Sequence, residues 1–129
     1  MRIAPRKRVY LAALALLSAL MMTLAWHGDP ARAALADTRA GVADGQLWRM
    51  LTAHLVHLTP AHAAMNVLGL GLVSAILWEV LTLRRFVMVA AVSGLAVSLG
   101  FFALDPGVTR YVGWSGVAHG LFAWGGLAM

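Results

Sequence analysis

Ser115 stands in Gly113-Trp114-Ser115-Gly116, where a polar loop from Asp105 to Arg110 gives way to an apolar run. Flanking glycines permit the unusual dihedrals and close backbone approach that a nucleophile turn needs. The same arrangement suits an ordinary N-cap serine. His62 and Asn66 are four residues apart, so a helix would put them on one face. At the depth of Ser115 they could serve as oxyanion donors, or only as polar pairing between helices. His119 follows Ser115 by one turn, and helical side chains lean towards the amino terminus, so its ring approaches the serine. It could act as a base or pack on a neighbouring helix. His54, His57 and His62 could ligate zinc, copper or iron. Against a metal, His57 and His62 are five apart across Pro60, and no carboxylate lies among them. The expectation is therefore no metal and no cofactor.

These groups need elements to hold them, and the composition says which kind. The chain has 129 residues, 61% hydrophobic and 12% charged, with a mean hydropathy of +0.80. Soluble domains carry about 25% charged residues, so this is the composition of a membrane protein. The net charge of +5 is not arranged as a nucleic-acid face. Arg2, Arg6, Lys7 and Arg8 precede the first apolar run, and Arg84 and Arg85 separate two others, a positive-inside pattern. With no cysteine, a disulfide framework, a thiol nucleophile and a Cys-type metal site are all excluded.

The expected architecture is an all-α, polytopic membrane bundle. Residues 1–8 form a basic cytoplasmic terminus and residues 9–129 the membrane domain, with helices at about 9–26, 60–80, 86–104 and 115–129. Residues 9–26 form an uncharged apolar run of spanning length. A signal peptide cut near Ala31-Arg32-Ala33 fits less well, because its apolar region would be shorter. Between residues 27 and 53, Trp48 and Arg49 suit a headgroup-level anchor, with an interfacial helix about them. Thr59 and Pro60 read as N-cap and first residue of the next helix. Near that helix's far end, Glu79 can reach Arg84 or Arg85. Gly69, on the face of His62 and Asn66, would admit a neighbouring helix, and Ser93, Gly94, Ser98 and Gly100 mark the following helix as a packed one. Loop charges put the amino terminus in the cytoplasm and Ser115 near the outer face. The last helix, 15 residues, is short of the roughly 20 that cross a bilayer, so the chain reads as an amino-terminal fragment.

Taken together, Trp48-Arg49, His57-x4-His62-x3-Asn66 and Gly113-Trp114-Ser115-Gly116 resemble the rhomboid family of intramembrane serine proteases. The run from Gly113 to Gly120 is most similar to the rhombosortase branch. The resemblance implies a six-helix core, four helices of which are present here, in a bacterial inner (plasma) membrane. It implies Ser115 as nucleophile, with His62, Asn66 and the Ser115 amide holding the oxyanion. It gives His57, Gly113, Gly116 and His119 supporting roles, and places the histidine base on a sixth helix that this chain does not contain. The implied substrate is a transmembrane protein segment, and the rhombosortase likeness implies a carboxy-terminal sorting helix of an exported protein. The implied partners are that substrate and the lipid bilayer. A non-catalytic relative that binds transmembrane helices is the alternative, followed by a metal- or haem-carrying subunit.

Overall fold

The structure, a computed structural model, describes residues 4–129; Met1, Arg2 and Ile3 lie outside the described residues. The elements in chain order are α1 (Pro5–His27), α2 (Asp29–Leu35), β1 (Asp37–Thr38), α3 (Arg39–Ala43), α4 (Arg49–Thr52), α5 (Pro60–Ile76), α6 (Leu83–Leu104), β2 (Arg110–Tyr111) and α7 (Ser115–Ala128). By length and composition, α1 and α6 could each cross a membrane. At 1.5 Å per residue, the 17 residues of α5 and the 14 of α7 cover about 26 and about 21 Å, less than the roughly 30 Å of hydrocarbon.

The bundle is apolar inside and outside. Leu70, Val73, Leu77, Val117 and Leu121 are buried in one cluster, while Leu16, Leu68, Leu72, Val92 and Leu99 face outward. A surface of that kind suits lipid rather than water. Glycines on α7 bring it against α6: a Cβ on Gly116 would lie 2.7 Å from Val97 Cγ2, and Gly120 faces Ser93 at similarly close range. This is the small-residue packing used where lipid supplies no hydrophobic drive between helices. On α6, Ser98 donates to the Met50 carbonyl (3.0 Å) and Gly94 admits His54. Gly69 differs from expectation, because no described group lies within 4 Å of where its Cβ would be.

Helix α5 starts as its sequence dictates. Thr59 is extended, and its hydroxyl accepts the His62 amide at 3.0 Å, with Pro60 in the first turn. A cap of this kind contributes about 1 kcal/mol. The helix stops at Ile76 rather than near Val80. Its end is set by cations that take the carbonyls a continued helix would use. Lys7 Nζ donates to Trp78 O and Leu81 O, and Arg85 Nη1 donates to Val80 O at 2.7 Å. Thr82 then caps α6. Arg85 thus serves the backbone rather than Glu79; the ion pair found among the described residues is Arg32–Asp29.

The segment between α1 and α5 folds back across one end of the bundle and departs from an all-helical plan. β1 and β2 form a short antiparallel bridge, Asp37 opposite Tyr111 and Thr38 opposite Arg110. Three arginines fasten this segment by donating to backbone carbonyls. Arg32 reaches His57 O and Leu58 O (3.2 and 3.0 Å), and Arg49 reaches Ala33 O and Ala36 O (3.1 and 2.9 Å). Arg39 reaches four carbonyls at the end of α6. Arg49 therefore points inward, which corrects its expected place as a headgroup anchor, whereas Trp48 is exposed beside exposed Leu47 and Leu51.

Candidate active site

The turn before α7 is held on every side. Gly113 has φ +117°, a left-handed conformation that a side chain resists. Its amide donates to Ala53 O (3.0 Å), and its carbonyl accepts from the Tyr111 hydroxyl (3.1 Å) and faces His54 Nδ1 (3.1 Å). The Trp114 amide donates to His57 Nε2 at 3.4 Å. Trp114 occupies the N-cap position of α7, which makes Ser115 the first helical residue and exposes it. The simple capping role for Ser115 is thereby corrected: the cap residue is Trp114. At a helix start the first amides have no carbonyl one turn back, so the Ser115 and Gly116 N–H groups lie where negative charge is favoured.

Two histidines back this turn. The His57 and His62 rings meet edge to face, centroids 5.1 Å apart. A Cβ on Gly113 would lie 3.2 Å from His62 Cε1 and 3.9 Å from His57 Cδ2. His57 is fully buried, and burial, aided by neighbouring His62, pushes its pKa down to about 4. The neutral ring is the form that can accept the Trp114 amide. Its unfolded value is near 6.5, so below that pH the unfolded chain takes up a proton that the folded chain refuses until about pH 4. Stability falls as pH drops across that window, by up to about 1.4 kcal/mol per pH unit. Thermal unfolding in detergent between pH 7 and 4 measures this, and His57→Gln should flatten the slope. An equally steep slope in that variant would exclude His57 as its source.

The remaining candidates are near but differently engaged. Asn66 Nδ2 donates to the His62 carbonyl on its own helix (3.0 Å), while His62 Nδ1 is buried with no partner. His119 Nδ1 lies 2.7 Å from Ser115 O, and a carbonyl only accepts, so that nitrogen carries a proton and faces the serine backbone, not its hydroxyl. His54 faces Gly113 O and, through Nε2, Gly94 O at 3.0 Å, so both its nitrogens point at carbonyls and away from any shared ligand position. No group of three potential metal ligands occurs among the described residues. Tyr111 escaped the sequence reading, although an aromatic hydroxyl four residues before the serine was a visible signal. Burial pushes its phenol up, so it stays a donor at neutral pH.

The profile of the rhomboid domain matches residues 44–125, more than half of the chain. The chain belongs to the rhomboid family. No curated protein and no solved structure matches it. Rhomboid proteins are generally intramembrane serine proteases acting on transmembrane substrates, which with the apolar helices makes this an integral membrane protein of protease-like type. The matched span takes in Trp48, His57, His62, Asn66 and Ser115, and so covers both sides of the serine turn.

Proposed function

We propose that this rhomboid protein is a serine endopeptidase that cuts membrane-anchored proteins near the outer membrane boundary. We place it in the rhombosortase branch, with four helices of the six-helix core in these 129 residues and the amino terminus in the cytoplasm. The observation that carries the reading is the placement of Ser115. It is an exposed first residue of α7, released from capping, behind a left-handed glycine and backed by buried His57 and half-buried His62.

In this mechanism Ser115 Oγ attacks the scissile carbonyl while a histidine base on a later helix takes its proton. The carbonyl π electrons move onto oxygen, and the Ser115 amide, His62 and Asn66 donate to that oxyanion. Asn66 must first exchange its bond to the His62 carbonyl for one to the substrate; donors often reach their working geometry only with substrate bound. Collapse expels the amine, which receives the proton from the base, and water then releases the acyl group by the same route. His119 keeps its Nδ1 proton on Ser115 O throughout and steadies the first turn of α7. Substrates of this branch would be carboxy-terminal membrane helices of exported proteins.

Cleavage of a reporter carrying such a helix, in membranes containing the protein, tests this. Ser115→Ala should abolish cleavage, and His62→Ala and Asn66→Ala should each slow it about 10²–10³-fold. Undiminished cleavage in Ser115→Ala would refute the proposal. A reporter that binds but stays intact with the wild type would instead favour a helix-binding role.

A further inference from the structure

We infer that the groove between the first turns of α1 and α6 binds an anionic phospholipid, taking its phosphodiester at Arg6 and Arg84. The groove lies at the other end of α5 from His62, so the inference stands whether or not Ser115 is a nucleophile. Its frame is fixed by contacts within the protein. Lys7 Nζ donates to Trp78 O and Leu81 O, tying α1 to the turn before α6, and lies 4.5 Å over the Trp78 ring. One turn along α1, buried Tyr10 donates to Ser74 Oγ (2.9 Å). Its ring packs against Trp78 and Phe86, with centroids 6.3 and 5.9 Å away.

The groove has a volume of about 570 Å³, within the range of small-ligand sites. Its walls divide by chemistry: Arg6, Lys7 and Arg84 are cationic, while Val9, Tyr10 and Leu83 are largely apolar. Lys7 is committed to backbone carbonyls. Arg6 and Arg84 are exposed and have no hydrogen bond or ion pair among the described residues. Residues 4–10 and 77–88 together carry five cations and one carboxylate, Glu79, which does not line the groove. Two guanidiniums, one from each helix, on a groove without an internal anion make a site for an oxyanion, and phosphate suits the planar fork. The apolar wall decides which phosphate. Val9, Val87 and Met88 beside it are more than half exposed, on an outer surface that suits lipid. A free phosphate would leave that wall uncovered. A phospholipid sets its headgroup against the arginines and an acyl chain along Val9 and Leu83, as basic pockets between membrane helices do.

Thermal unfolding and native mass spectrometry of the full chain in detergent test this, with phosphatidylglycerol, phosphatidylcholine or inorganic phosphate added. Phosphatidylglycerol should raise the melting temperature to a plateau and stay on the protein as one preferred adduct. Phosphatidylcholine and phosphate should do neither. Arg6→Gln and Arg84→Gln should each weaken phosphatidylglycerol binding about fivefold, and Arg84→Lys should weaken it less. Both arginines are exposed, so neither variant removes a packed group. Arg110→Gln is the charge-matched control: it takes one charge from the end beside the serine turn and should leave binding unchanged. An equal loss in Arg110→Gln, or a run of adducts with no preferred first one, would trace the effect to overall positive charge and overturn the inference. Equal stabilisation by phosphatidylcholine would mean lipid solvation, and by inorganic phosphate a free-anion site; either overturns it too. Binding is read without cleavage, so its failure leaves the protease reading untouched. A protein that binds phosphatidylglycerol but never cleaves would fail the protease reading alone.

Discussion

Gly113→Ala should cost about 2–3 kcal/mol of stability and lower reporter cleavage at least 100-fold. Two physical terms act together. At φ +117° a side chain is strained whatever the space around it. The added Cβ would also sit 3.2 Å from His62 Cε1, tighter than ordinary contact. Relief requires the turn or His62 to move, and either movement shifts Ser115 relative to its proposed oxyanion donors. A displacement of about 1 Å is enough for the rate loss. Gly69→Ala is the control, because that position meets nothing and lies in a helix, where alanine is the better residue. Unfolding in detergent and reporter cleavage, measured on both variants, check the prediction. A Gly113→Ala protein with wild-type melting and rate would show that the turn is not under constraint.

Arg39→Ala should destabilise the protein by about 2–4 kcal/mol. The Arg39 guanidinium donates to Phe101 O (2.6 Å), Phe102 O (3.1 Å), Asp105 O (2.6 Å) and Val108 O (2.9 Å), and lies 5.1 Å over the Phe102 ring. It therefore puts a positive charge at the negative end of α6, where Phe102 O has no helical partner because residue 106 is proline, and adds a second donor to Phe101 O and Asp105 O, which also accept the Asp105 and Val108 amides. Water reaches part of this half-buried site, which keeps the cost below four full hydrogen bonds. Arg39→Lys should recover little, since an ammonium cannot spread over four carbonyls as the planar fork does. Full recovery by lysine in thermal unfolding would mean that charge alone matters.

The two cases also mark how far the sequence could be read. Proline after Thr59, the apolar runs and the glycine-flanked serine are local signals, and local physics produced the helix starts at Pro60 and Ser115. The end of α5 was not local, because the carbonyls of Trp78, Val80 and Leu81 are taken by Lys7 and Arg85. The bridge of β1 and β2 has two residues on each side, too few to show a period of two. Arg32, Arg39 and Arg49 read as loop charges, since nothing in their spacing says that each donates to carbonyls of residues distant in the chain. Within the site, helical spacing put His62 and Asn66 on one face. It could not tell that Asn66 would turn its amide back onto its own helix. His54 was weighed only as a ligand, whereas it braces Gly113 against Gly94.

The most direct measurement is fluorophosphonate labelling of the full-length protein in its membranes, beside the Ser115→Ala variant. An activated serine predicts one labelled residue, Ser115, and complete loss of label in the variant. Label retained by Ser115→Ala, or none on a folded wild type, would contradict the account.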